Sequence, residues 1–180
     1  MLNTGAVDFD ASLTGGRERR GIVIAEYDPE WPRRFEAERE RIVSALDRTA
    51  IRVEHIGSTA VLGLAAKPIV DVLVTLADPD DEDAFSPPLL AAGYELRVRE
   101  PGHRMFRTPA RDVHVHVWSN DDPEVSRHLR FRDRLRASTE DRAAYEALKR
   151  ELARRDWDDM NHYADAKSAL IAEILKRAGG

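Results

Sequence analysis

The chain has 180 residues, 34% of them Asp, Glu, Lys or Arg and 42% hydrophobic, and its 33 acids outweigh its 28 bases to give a formal net charge of −5. That length suits one domain with a short extension, and the apolar residues are too dispersed to supply the roughly 20-residue run of a membrane-spanning helix. The lack of cysteine excludes disulfides, thiolate nucleophiles and thiolate metal sites, so any metal must be held by oxygen or imidazole.

Residues 1–20 are rich in Gly, Thr, Ser and Asp without a period and lack the apolar stretch of a signal peptide. A disordered tail over 1–20 is expected, followed by one domain over 21–180, in a soluble, cytoplasmic protein. Gly21 to Glu26 has the composition of a short strand, and Asp28-Pro29-Glu30-Trp31-Pro32 that of a turn entering a helix with Asp28 as cap. Trp31, Phe35, Ile42 and Leu46 keep a helical spacing along one face. Ile51 to Ile56 alternates as a half-buried strand that Gly57-Ser58-Thr59 interrupts. Pro68 to Leu76 is almost continuously β-branched and apolar, a central strand carrying one conspicuous carboxylate, Asp71. A short helix over 83–92, a strand over 94–99, and a strand pair over 104–108 and 113–118 come next. Helices near 124–137, 139–154 and 161–177 complete the chain, the second capped by Ser138 or Thr139. This order predicts an α+β or α/β mixed sheet packed by helices, with a helical C-terminal segment.

The chemistry concentrates between Val53 and Val74. A strand runs into Gly57-Ser58, where a missing side chain and a hydroxyl let backbone N–H groups approach a phosphate. Thr59 offers a second hydroxyl, Lys67 a point charge for phosphate, and Asp71 a hard oxygen for Mg²⁺. The same residues also suit a plain strand–turn–strand with a capping serine. Lysine is informative in this chain: 24 of the 28 bases are Arg, leaving only Lys67, Lys149, Lys167 and Lys176.

The block His55-Ile56-Gly57-Ser58-Thr59, Gly63-Leu64, Ala66-Lys67-Pro68-Ile69 and Asp71 resembles the GrpB (UPF0157) family. Tyr27-Asp28-Pro29, Gly93-Tyr94, His114-Val115-His116-Val117, Phe131-Arg132-Asp133, Tyr145 with Leu148-Lys149, and Tyr163 with Lys167 extend the resemblance over about Ile22 to Ala178. It implies a nucleotidyltransferase (polymerase-beta-like) fold, in which a Gly-Ser turn holds a triphosphate and three carboxylates hold two metal ions. Gly57-Ser58 and Asp71 fit that pattern. The i+2 position is Leu73, so the second carboxylate is missing, and alternation turns Val70 and Val72 to the other face.

The strand that would carry the third carboxylate presents His114 and His116 on one face, their Cα atoms roughly 6.5–7 Å apart. With Asp71, and with His55 as a further candidate, they could hold Mn, Fe or Zn in a two-His–carboxylate site, where carboxylate alone would suit Mg or Mn. They could equally line a solvated sheet face, and His116 could act as a general base. No organic cofactor is expected. Residues 1–90 hold 10 bases and 17 acids, whereas 91–180 hold 18 bases and 16 acids. The Arg-rich half suits a phosphorylated ligand, although Arg127, Arg130 and Arg134 also fit one solvated helical face. Arg132, Lys149 and Lys167, which fall in the resembling segments, join His55, Gly57, Ser58, Thr59 and Lys67 as candidate phosphate contacts. Tyr145 and Tyr163 read as core stripes, His103, His128 and His162 as surface or capping residues.

The expected partner is a nucleotide or phosphorylated small molecule, with nucleic acid disfavoured by the mild acidity. The leading expectation is a phospholigand-binding protein that transfers a nucleotidyl group to a small molecule with a divalent metal. The alternatives are a non-catalytic accessory or ligand-sensing domain, as the resemblance implies through fusions to dephospho-CoA kinase, and a metal-dependent hydrolase using Asp71 with His114 and His116.

Overall fold

The structure, a computed structural model, describes residues 13–14, 21–157 and 160–179. The elements in chain order are α1 (Glu30–Leu46), β1 (Arg52–Ile56), β2 (Val70–Leu76), α2 (Ser86–Ala91), β3 (Glu95–Glu100), β4 (His103–Arg107), β5 (Val113–Ser119), α3 (Pro123–Ala137), α4 (Thr139–Leu152), α5 (Met160–Asp165) and α6 (Ser168–Ala178). The five strands form one mixed sheet in the order β1-β2-β5-β4-β3. Only β2 and β5 pair in parallel; α2, β3 and β4 make the crossover between them. A parallel central pair is covered on both faces, which explains the near-continuous apolar run of β2.

One sheet face carries Val70, Val72, Val74 and Leu76 with Val113, Val115 and Val117. They pack against Trp31, Phe35, Ile42 and Leu46 of α1 and against Phe85 and Leu89. Each such side chain taken wholly out of water contributes on the order of 1.5–3 kcal/mol, so this layer dominates the stability of the sheet. The opposite face is apolar at one end, where Ile56, Leu73, Trp118 and Val125 cluster under α3. A third cluster, Val61, Leu64, Leu135, Tyr145 and Ile174, joins the loop after β1 to the C-terminal helices.

The ends of the elements follow their side chains. Asp28 Oδ1 accepts from the backbone N–H of Glu30 at 2.9 Å, Asp122 caps α3, and of the two candidates at α4 it is Ser138 that accepts, from the N–H of Asp141. Two expected elements differ. Gly21 to Glu26 is no strand but a single bridge at Ala25, bonded to Ala66 in both directions at 2.8 and 2.9 Å, because the loop opposite it offers one residue for pairing. The last predicted helix divides into α5 and α6 at Ala166–Lys167. The expected N-terminal tail lies outside the described residues except at Leu13 and Thr14, where Leu13 bridges Val98 of β3. Among the described residues no helix is long and apolar enough to cross a membrane.

Asp141 locks the helical segment. Its carboxylate accepts from Arg134 Nε at 2.6 Å and from Arg177 Nη2 at 2.7 Å, tying α4 to α3 and α6, with its side chain only 4% exposed. Burial raises its pKa, and the two guanidinium groups more than reverse this, holding the carboxyl below its ordinary value. Asp141→Ala leaves two arginines without their carboxylate and should lower stability by about 3 kcal/mol. Arg127→Ala, in the exposed pair with Glu124, should cost under about 1 kcal/mol. Since the folded pKa is depressed, the Asp141 contribution is present above the unfolded value near 4 and is lost as pH falls through the folded one. Urea melts of both variants at pH 7 and 3 check this, the Asp141→Ala deficit shrinking at pH 3.

Candidate functional site

The site starts where β1 ends. Strand register places Ile56 opposite Asp71, so the next residue, Gly57, must pass directly over that carboxylate. Gly57 has φ 71°, and a Cβ built on it would lie 2.4 Å from Asp71 Oδ2. Only glycine meets both demands. Ser58 to Ala60 then form a single 3-10 turn.

In the parallel pairing of β2 with β5, Asp71 lies beside His114 and Leu73 beside His116. Asp71 Oδ1 is 3.5 Å from His114 Nδ1 and 3.8 Å from His116 Nε2, and one ligand atom from each of the three side chains falls within 4.8 Å of the others. Burial raises the Asp71 pKa, but the two imidazoles overcome it and hold the carboxyl well below the usual carboxylate range. One carboxylate and two imidazoles fit a single divalent ion of the Mn, Fe or Zn type. Two ions do not fit: Leu73 is fully buried in the cluster under α3, at the place where a second carboxylate would be needed.

Beside this triad is a cavity of about 150 Å³. Gly57, Ser58, Lys67, Asp71 and His114 line one side, Tyr145 and Lys149 of α4 with Tyr163 and Lys167 of the C-terminal helices the other. Lys149 Nζ donates to Ser58 Oγ at 3.0 Å and to the Ala65 carbonyl, pinning both ends of the loop. Lys67 and Lys167 place their ammonium groups 5.1 and 4.4 Å from the centre of the Tyr163 ring. Burial and mutual repulsion push the Lys149 pKa down to about 7 and that of Lys167 to about 8, and burial lowers Lys67 as well. Three of the four lysines in the chain thus meet in one small space.

The other sequence candidates lie elsewhere. His55 is paired with Val72, on the α1 side of the sheet and away from Asp71. It stacks on Phe35 at 4.6 Å, bonds Thr59 Oγ1 through Nε2 at 3.0 Å, and burial brings its pKa down to about 4. Thr59 in turn donates to the Ile69 carbonyl at 3.2 Å, so both residues brace the turn from below. Arg132 binds Glu54 at 2.9 Å, the His55 carbonyl at 3.0 Å and Asp133, outside the cavity. The wider arginine wall is committed similarly: Arg99 and Arg104 to Glu82, Arg107 to Glu95, Arg134 to Asp141, Arg136 to the Ala60 carbonyl. None of these arginines lines the cavity.

Sequence reasoning missed four residues. Tyr145 and Tyr163 read as core stripes, and their helical spacing gave no other signal. His103 stacks on Trp118 at 4.4 Å with Nε2 3.4 Å from His116 Nδ1, and His128 lies against the same two rings. The period-2 spacing of His114, His116 and Trp118 marked the face, but which residues of β4 and α3 meet it depends on register.

Residues 21–177 match the sequence profile of the family described as GrpB protein. A UPF0157 protein of Streptomyces coelicolor is 53% identical over 93% of this chain and 89% of its own length. A dephospho-CoA kinase of Mycolicibacterium paratuberculosis is 30% identical over 99% of this chain, which spans only 51% of that protein. The crystal structure of the conserved protein GrpB from Enterococcus faecalis superposes with a TM-score of 0.77 at 36% identity, covering 87% of this chain and 96% of that one. The structure of a GLD-2/RNP-8 complex superposes with a TM-score of 0.51 at 14% identity, covering 73% of this chain and 45% of that one, a likeness of fold alone. With its mixed sheet, its Gly-Ser turn and Asp71 on the following strand, the fold is that of the nucleotidyltransferases, and the chain belongs to the GrpB family.

Proposed function

We propose that the protein binds a nucleotide or another phosphorylated small molecule, with its phosphate groups in the lysine-lined cavity and one divalent ion held by Asp71, His114 and His116. The observation that carries this reading is the convergence of Lys67, Lys149 and Lys167 on the Gly57–Ser58 turn, in a chain where 24 of the 28 bases are arginine. Burying three ammonium groups together is costly, as their lowered pKa values register, and an anionic ligand removes that cost. Gly57 and Ser58 bring backbone and hydroxyl donors to the same place. A bound ion would supply charge neutralisation for a phosphate oxygen.

Leu73 favours binding with one ion over two-metal nucleotidyl transfer. A ligand-sensing module is the second reading, favoured by the match over about half of a protein named dephospho-CoA kinase.

Four outcomes test the reading. ATP with Mn²⁺ should raise the melting temperature of the wild-type protein, saturation at a hundredfold over Kd being worth about 2.7 kcal/mol. Asp71→Ala should abolish the metal-dependent part. No shift across nucleoside triphosphates and CoA precursors would sink the nucleotide reading, and pyrophosphate release would make the protein a transferase despite Leu73.

The metal assignment is tested separately. Purified protein loaded with Mn²⁺ or Zn²⁺ and desalted should retain one ion per chain, and His114→Ala with His116→Ala should retain none.

A pH dependence follows from the lysines. Lys149 feels the charges of Lys167, Arg150 and Lys67, opposed by that of Glu146. Lys149 and Lys167, near 7 and 8, shed protons as the pH rises, and a bound phosphate returns them. Phosphate-ligand affinity should therefore fall from pH 7 to 9 with proton uptake on binding, measurable by calorimetry in two buffers. Lys149→Met should weaken binding at pH 7 and flatten the profile.

A further inference from the structure

The hydroxyl of Tyr163 is buried and, among the described residues, has no hydrogen-bond partner; the residue is 1% exposed and lines the cavity. Buried tyrosine hydroxyls ordinarily find a partner, since one left unpaired costs on the order of 1–3 kcal/mol. Burial raises its pKa to about 12, so it keeps its proton and needs an acceptor. The Ser58 and Tyr145 hydroxyls line the same cavity but make no bond to it, and the charged side chains around it do not provide an acceptor. Lys67 and Lys167, whose ammonium groups lie over its ring, only donate, and among the described residues neither forms an ion pair. Lys149 likewise only donates, to Ser58 Oγ and to the Ala65 carbonyl. Asp71, the one carboxylate of the cavity, is taken up by His114 and His116.

We propose that Tyr163 is a ligand-contacting residue, its hydroxyl donating to an anionic oxygen of a terminal diphosphate group that also meets Lys67 and Lys167. This rests on the reading of the cavity as a phosphate site and narrows it. Three ammonium groups against one carboxylate leave up to two positive charges to be met, and a space of about 150 Å³ suits a phosphate or diphosphate end rather than a fully enclosed nucleotide. The remainder of the ligand lies outside the cavity. The shortage of acceptors also separates this site from one built for sugar or amide groups, which would bring donors of their own.

The test uses inorganic pyrophosphate with Mn²⁺ at pH 7, titrated calorimetrically into wild-type protein and Tyr163→Phe, with urea melts of both in the absence of ligand. A lost hydrogen bond to a charged oxygen should weaken binding roughly tenfold or more. Without ligand, Tyr163→Phe should be as stable as wild type or slightly more so, because the change deletes an unpaired polar group. Tyr94→Phe is the control: its hydroxyl donates to Glu38, far from the cavity, so it should lose stability and keep its affinity. Equal affinity in Tyr163→Phe and wild type would overturn the role of Tyr163 and leave the phosphate reading standing. A marked loss of stability in ligand-free Tyr163→Phe would mean that the hydroxyl has an internal partner, and would overturn the proposal too. Failure of the wild-type protein to bind pyrophosphate would overturn both.

Discussion

The close passage of the Gly57 backbone over the Asp71 carboxylate constrains everything around it. It follows from one register: Ile56 opposite Asp71 leaves the chain no room for a side chain at the next position. With that crossing fixed, the loop must climb away from the sheet, and it is held from two sides. His55 and Thr59 brace it from the α1 side through a bonded chain to the Ile69 carbonyl, while Lys149 reaches from α4 to Ser58 and Ala65. Strand pairing, an internal hydrogen-bonded chain and a helix on the far side therefore converge on three residues of turn. Such over-determination is what a preorganised anion site requires.

The helical segment then makes the cavity. Lys149 and Tyr145 stand on α4, Tyr163 on α5, and Lys167 at the entry to α6, so the far wall depends on how those helices are locked together. Asp141 and its two arginines supply that lock some distance from the cavity. The arrangement separates tasks: arginines, with forked and fully charged groups, hold elements together, and lysines, whose charge yields to burial, stand around the empty space. Aromatic faces at 4.4 to 5.1 Å temper the desolvation of all three ammonium groups.

Much of this was legible in the sequence. Alternation alone placed Asp71 with Leu73 and His114 with His116, and parallel pairing of the two strands brings those pairs together. The scarcity of lysine singled out Lys67, Lys149 and Lys167, which the fold gathers although about a hundred residues separate the first from the last. What stayed hidden depended on register or on tertiary docking. His55 looked like a companion of Asp71, yet the same antiparallel pairing that seats Ile56 on Asp71 turns His55 to the other face. Arg132 carried the family resemblance, but its neighbours Glu54 and Asp133 absorb it, and nothing in a one-dimensional pattern reports which carboxylate an arginine will meet. Tyr163 sits in a helical stripe where an orphaned hydroxyl leaves no trace in spacing.

Leu73 ties the chemistry to the packing. The face that bears Asp71, His114 and His116 is polar at one end only; a few residues along, Leu73 and Trp118 meet Ile56 and Val125 in a dry cluster beneath α3. An acid at position 73 would be buried there with apolar neighbours, at a cost of several kcal/mol unless a metal or a cation came with it. A single residue, Leu73, thus both withholds a second carboxylate and makes the apolar seal. That seal lets α3 close over the sheet, and α3 carries the two arginines that reach Glu54 and Asp141. Changing residue 73 to an acid would not by itself build a two-ion centre, because the helix that covers it would have to move as well.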